Sequence, residues 1–348
     1  MIAPHPIEDS LKAMIEAEGP IPVARFMAES NAAYYADHDP FGAQGDFITA
    51  PEVSQMFGEL IGLALAEIWR RVGGAAAYVE LGPGRGTLAA DALRAMATTG
   101  RVPPVHFVET SPVLRDAQAE MVPEAQWYET VDTLPTDIPL MIVANEFFDA
   151  LPVEQYVKTM MGWRQLKVGI GPEGFATTPG PTPCDDAMPE EIRDAHTASV
   201  YERSPVSRSI ARALGKRLAA QGGIMLVIDY GYYDRRAGDT IQAVHAHAYA
   251  DPFARPGTSD LTAHVDFSAL IAAAAVRGVR SRGPIDQGDW LVSLGIDIRA
   301  DALTRANPHR AAELAAARMR LIHPDQMGSL FQVAGFAGPG WPAPPGFD

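Results

Sequence analysis

Cysteine is nearly missing from this chain: Cys184 stands alone among 348 residues. No intrachain disulfide can form, which fits a reducing compartment. Positive charge is also scarce, with 28 basic residues against 43 acidic and a formal net charge of −15. That deficit argues against a nucleic-acid backbone or an anionic membrane surface as the main partner. A cationic substrate is compatible with it. No apolar run approaches the roughly 20 residues that a bilayer-spanning helix needs, so no membrane insertion is expected. The opening stretch MIAPHPIEDSLKAMIEAEGP has no apolar core segment and carries acids early. Neither a secretory signal nor an Arg-rich transit peptide is expected from it, and a cytoplasmic protein is the expectation. Internal repeats are absent too.

What the chain does have is apolar material. Hydrophobic residues make up 47 % of it, enough for one large α/β domain or two smaller ones. Ile7, Leu11, Met14 and Ile15 fall at helical spacing, and a short helix is expected at 23–28. Thr49, Pro51 and Glu52 fit a capping box, followed by Val53, Met56, Phe57, Leu60, Ala64 and Ile68 on one helical face. Strand-like runs at 78–81, 105–109, 126–128, 140–144 and 224–229 then alternate with helical runs such as 87–97 and 112–121. This alternation predicts a doubly wound, mostly parallel, Rossmann-like sheet with helices on both faces. Antiparallel strands are expected within 153–178, a loop at 177–186, and helices at 205–221, 265–275 and 311–322. Further strands are expected at 241–247, 278–282 and 330–336, and the Pro-rich tail reads as a loosely held end. The resulting division is an N-terminal helical cap at 1–75 and a core at 76–348, with insertions at about 153–200 and 284–325.

The stretch YVELGPGRGTLAADAL, residues 78–93, carries glycines at Gly82, Gly84 and Gly86. Without Cβ atoms, such a turn takes dihedrals closed to other residues, and the next helix presents free N–H groups. A dinucleotide or another nucleoside cofactor would suit it. The dinucleotide fingerprint wants Gly or Ala at its last position, where this chain has Thr87. Glu80, inside the strand, offers nothing to a pyrophosphate but would attract an ammonium or sulfonium group. S-adenosyl-L-methionine carries both, and a nicotinamide-dependent oxidoreductase is the alternative reading. Glu109, 23 residues past Gly86, is placed to accept ribose hydroxyls. Trp127 or Tyr128 could flank an adenine ring and Asp132 could accept from its amino group, although Trp127 reads equally well as core.

The stretch LMIVANEFFDALPVEQY ends a buried strand with Asn145 and Glu146, and Asp149 follows three residues later. On a helical turn these groups would converge beside the cofactor's reactive end. Methyl transfer from a sulfonium is an in-line displacement that needs an aligned nucleophile. Carboxylates can hold a guanidinium by paired hydrogen bonds and stabilise its positive charge. The structural alternative is capping of loop N–H groups. Tyr230, at the end of the fifth strand, could line an acceptor pocket. In the stretch with His264, Asp260 or Thr262 could cap a helix. His245 and His247 lack further ligands at suitable spacing, so no metal site is expected.

Taken together, GDFITAPEVSQMFGELIG, VELGPGRGTL, ANEFFDALPVEQ, IDYGY, PGTSDLTAHVDF and QGDWLVSLGI resemble the MidA family over residues 45–335. Members are class I S-adenosylmethionine-dependent methyltransferases, among them the mitochondrial arginine methyltransferase that assists respiratory complex I assembly. The resemblance implies a protein substrate methylated on arginine, with a complex I subunit as the target. It implies that Gly82, Gly84, Gly86 and Glu109 bind the cofactor. It also places Asp46, Thr49 and Gln55 in a segment packed over the cofactor cleft. A homo-oligomer is compatible with these features.

Overall fold

The computed structural model describes residues 5–37, 49–234, 236–245 and 248–347. Its centre is a sheet of strands β1 (Ala77–Leu81), β2 (Val105–Val108), β3 (Gln126–Tyr128), β4 (Leu140–Asn145), β5 (Gly223–Tyr232), β6 (Arg280–Asp286) and β7 (Phe331–Ala337). Their order is β6-β7-β5-β4-β1-β2-β3, and β7 runs opposite to the other six strands. The two-residue strand Val265–Asp266 pairs with the tip of β5. The chain winds outward from β1 to β3, then returns to lay β4 on the other side of β1. At such a reversal, the connections leave in opposite directions and open a crevice at the strands' carboxyl ends. The doubly wound, mostly parallel fold expected from the sequence is present.

The helices are α1 (Pro6–Glu18), α2 (Val23–Asp37), α3 (Ala50–Val53), α4 (Gln55–Val72), α5 (Thr87–Ala97), α6 (Pro112–Met121), α7 (Glu190–Arg193), α8 (Pro205–Gln221), α9 (Phe267–Ala274), α10 (Gln287–Ser293), α11 (Ile296–Ala306) and α12 (Ala311–Ile322). Alternate residues of each central strand face opposite ways. Tyr78, Met141, Val143, Ile224 and Leu226 pack with α4, α5 and α10–α12. Val79, Leu81, Ile142, Ala144, Met225 and Val227 pack with α8 and α9. Both faces are covered, which is why these strands read as continuous apolar runs. A separate core joins α1 and α2 to Val153, Val168 and Leu261. Of the first 75 residues, α3 and α4 are therefore the helices lying against the central sheet.

Several local expectations differ from the structure. The helix behind Thr49 is broken at Ser54, which is extended (φ −166°, ψ 141°) and caps α4 by accepting from the Met56 N–H at 3.2 Å. Thr49 makes no side-chain cap. Glu52 does not reach back either, because its Oε1 accepts from the Thr87 hydroxyl at 2.8 Å. The segment expected as a loop is mostly strand, Gly174–Pro183, paired at the sheet edge with Gly162–Gly171. Pro179, Pro181 and Pro183 alternate along it, so their missing donors all fall on one side of an edge strand. The strand Gln242–His245 forms, but in a separate three-stranded sheet. The short second helix is in fact the 15-residue α2.

The tail is docked rather than loose. Trp341 is buried, and the Trp290 indole N–H donates to the Pro345 carbonyl at 3.1 Å. Helices α4 and α5 approach closely at Gly62, where a Cβ would lie 2.3 Å from the Ala92 carbonyl oxygen. Gly62→Ala is expected to force the helices apart and cost about 1–3 kcal/mol. Urea unfolding should show a lower midpoint with an unchanged slope; a wild-type midpoint would contradict the close contact.

Candidate active site

The loop after β1 is built on three left-handed glycines, Gly82 (φ 58°), Gly84 (φ 55°) and Gly86 (φ 87°). A side chain at Gly82 would also crowd the Phe147 ring, 3.0 Å from a Cβ. Gly86 caps α5 without a side-chain bond, so the first N–H groups of α5 have no capping acceptor. The loop is pinned by the Gly82 N–H donating to Val108 at 2.9 Å.

On one side of this loop lies a cavity of about 510 Å³. Its walls come from Glu109, Thr110, Ser111, Pro112 and Leu114 and from Glu146, Phe147, Ala150, Leu151 and Pro152, and α2 covers it with Ala28, Asn31, Ala32, Tyr35 and Ala36. Asn31 holds that cover by donating to the carbonyls of Ala150 (3.1 Å) and Leu261 (2.8 Å). On the other side is a smaller hollow where Glu52, Glu80, Asn145 and Glu146 meet Thr49 and Arg85. Gly82, Gly84 and Glu146 line both spaces.

Glu109 is buried at the tip of β2, where Oε1 accepts from the N–H groups of Thr110 and Ser111, both at 2.8 Å. Its Oε2 accepts from Gln118 Nε2 at 3.1 Å. Burial raises its pKa, and these bonds counter the effect. Glu80 is buried with the Tyr78 hydroxyl donating to it at 2.6 Å, and burial lifts its carboxyl to about 8. Glu146 has a left-handed backbone (φ 49°), uncommon for a residue with a side chain. Its Oε1 accepts from the Ala50 N–H at 3.3 Å and Asn145 Nδ2 at 3.2 Å. Burial, followed by the nearby Asp149 charge, lifts Glu146 to about 7. Asn145 Oδ1 is buried without a hydrogen-bond partner.

The expected convergence of Asn145, Glu146 and Asp149 is only partial. The chain past Glu146 turns instead of continuing as a helix, so a three-residue offset does not put Asp149 beside Glu146's hollow. Asp149 is buried and bonded inward, to the Ala150 N–H at 2.8 Å and the Tyr230 hydroxyl. Asp229 braces the same turn, with Oδ2 accepting from Phe148 (3.0 Å) and Asp149 (3.3 Å). Asp132 is also elsewhere. The turn Val131–Thr133 carries it toward α8, where its carbonyl accepts from Arg217 and it lines a separate hollow with Arg212 and Lys216. Trp127 packs on the core and donates to Gln118 Oε1 at 2.8 Å. Gln55 bonds Glu59 at 2.9 Å. Asp46 and His247 lie outside the described residues.

Two residues of the site escaped the sequence reading. Glu52 passed for a helix cap, although its carboxylate lines the small hollow. Gln118 drew no notice; its signal is a polar residue four positions after Leu114 on the buried face of α6.

The residues present fit a nucleoside cofactor with a cationic tail. The glycine loop allows close approach, Glu109 suits a ribose, and the raised carboxyls with the orphan Asn145 oxygen suit positive charge. The fold and this site define a methyltransferase that uses S-adenosyl-L-methionine. The chain belongs to the family described as "Putative S-adenosyl-L-methionine-dependent methyltransferase", which matches residues 60–285. It is 37 % identical to rat protein arginine methyltransferase NDUFAF7, mitochondrial, over 91 % of this chain and 81 % of that protein. The human protein of that name is 36 % identical over 94 % and 83 %. A Burkholderia thailandensis protein crystallised with S-adenosyl-homocysteine superposes with a TM-score of 0.85 at 27 % identity, covering 99 % of this chain and 97 % of that one. The nicotinamide alternative falls away. The cytoplasmic expectation is overturned as well, since these NDUFAF7 relatives are mitochondrial by name. A low cysteine count and a plain N-terminal stretch do not decide a compartment.

The raised carboxyls have a consequence for stability. Glu80, Glu146 and Asp149 sit at about 8, 7 and 6, against ordinary values of 4.5, 4.5 and 3.8. Between these limits the folded protein binds more protons than the unfolded chain, so stability falls as pH rises. The unliganded protein's thermal midpoint is expected to drop from pH 5 to pH 8.5, and Glu146→Gln should flatten the drop between pH 5 and 7. A wild-type midpoint that climbs across that range would contradict the buried, proton-holding acids.

Proposed function

We propose that this methyltransferase acts on arginine in a protein, with a respiratory complex I subunit as its target. The observation that carries the reading is the acidic hollow beside the glycine loop, where Glu52 and Glu146 stand next to Glu80 and Asn145 and are left for an acceptor. A guanidinium is the protein group best matched to such a set, because it is planar, cationic and rich in donors. The relatives named as protein arginine methyltransferases support the acceptor type, and the MidA resemblance supports the target.

In this reading Glu109 accepts the ribose hydroxyls, while the N–H groups after Gly84 and at the start of α5 face the cofactor's carboxylate. Glu80 and the Asn145 oxygen receive its ammonium. The bound cofactor supplies a methyl group on a sulfonium centre. Glu146 then orients the acceptor. Its Oε1 is engaged by Ala50 and Asn145, which leaves Oε2 for a guanidinium N–H. A carboxyl held near 7 can also take up the proton that methylation releases. The α2 cover forms one wall over the larger cavity. Asp149 and Asp229 hold the turn that presents Glu146.

Glu146→Gln is expected to keep S-adenosyl-homocysteine binding within a few-fold while methyl transfer falls about 10²–10⁴-fold. Glu109→Ala should show the reverse pattern, with cofactor binding lost first in a calorimetric titration. Mass spectrometry of complex I subunits, with and without this gene, should reveal an arginine methylation that depends on it. An unchanged arginine methylation pattern would overturn the proposed target.

A further inference from the structure

We propose that Gln118 is the positioning residue that sets the glycine loop against the ribose carboxylate; this rests on the cofactor-site reading above. Gln118 is fully buried, on the inward face of α6 with Leu114. Its Nε2 donates to the Gly84 carbonyl at 2.7 Å and to Glu109 Oε2 at 3.1 Å. Its Oε1 accepts from the Trp127 indole at 2.8 Å. One amide thus ties together the tip of β1, the tip of β2 and strand β3.

Both groups that Nε2 holds belong to residues lining the 510 Å³ cavity. Gly84 is left-handed and has no side chain of its own to anchor the loop. Glu109 carries a buried carboxylate that favours any donor aimed at it. The amide meets both demands at once because its NH₂ group offers two donors from a single atom while its oxygen still accepts from the indole. The indole fixes which end of the amide points at the loop, since an N–H can bond only the oxygen. The helix is also locked to the same carboxylate, as the Ser111 N–H donates to Glu109 while Ser111 Oγ accepts from Leu114 at 3.3 Å. The spacing between loop and carboxylate is therefore set before the cofactor arrives, and ordering costs on binding are avoided.

The test is calorimetric titration of the full chain with S-adenosyl-homocysteine from pH 5.5 to 8.5, for wild type, Gln118→Met and Gln118→Glu. Gln118→Met keeps the volume and removes the donors, and should weaken binding by roughly tenfold or more at every pH. Gln118→Glu keeps an acceptor for Trp127 but sets a second carboxyl against Glu109. It should bind poorly at pH 8.5 and recover as the pH falls and the introduced carboxyl regains a proton to donate. The wild type should lack that acid recovery. A purely structural role would lower both variants' thermal midpoints without producing a pH-dependent affinity. Wild-type affinity for Gln118→Met, or a Gln118→Glu deficit that stays constant with pH, overturns the proposal. If Glu109→Ala also binds normally, the cofactor-site reading fails with it; if only the Gln118 variants are normal, this inference alone fails.

Discussion

A carboxylate can be buried at the end of a β-strand only if donors surround it, and that requirement at Glu109 organises the cofactor end of the molecule. Two backbone N–H groups and one side-chain amide meet it. The backbone donors come from the residues that lead into α6, so satisfying the acid also starts the helix. The amide comes from about two turns further along that helix and reaches back to the glycine loop. Ser111 continues the linkage outward, its hydroxyl donating to the Tyr35 carbonyl of α2 at 2.6 Å. Strand tip, loop, helix and cavity cover are thus joined through a few polar contacts of a single acid.

The acids beyond the loop obey a different balance. Glu80, Glu146 and Asp149 are desolvated with fewer donors than an ionised carboxylate needs, and their pKa values rise accordingly. Such a group is costly to keep charged alone and cheap to keep charged beside a cation. Two of them, Glu80 and Glu146, line one small hollow with Glu52, Asn145 and Arg85. The ion-paired Glu59 behaves in the opposite way. Glu59 is clasped by Arg299 at 2.7 and 2.8 Å and by Arg94 at 3.1 Å, and its pKa falls despite the desolvation of its site.

Most of the central architecture was legible because its signals are local. The strands at 78–81, apart from Glu80, and 140–144 are apolar on both faces, and three alternate glycines have no good structural reason to occur in a helix or strand. The acids at the strand tips were also visible as residues. What they do was less so. Asn145, Glu146 and Asp149 are near neighbours in the chain, yet the left-handed backbone of Glu146 turns Asp149 toward Asp229 and Tyr230. Asp132 was assigned by distance along the chain, and one short turn carried it to α8. Glu52 read as a cap because capping is the commoner use of that spacing, until a hydroxyl from another helix claimed it.

The chain alone determined the alternation of strands and helices, the open glycine turn and the acidic character of the strand tips. All of these follow from side-chain periodicity and backbone sterics within a few residues. Which acids face the cleft, and which amide holds them there, was decided only by the tertiary structure. Hydrogen bonds between residues distant in sequence, such as Gln118 to Gly84 and Asn31 to Leu261, leave no spacing pattern to read. They exist because packing helices against the central sheet and against the smaller sheets brings those polar atoms together away from water, where each must find a partner.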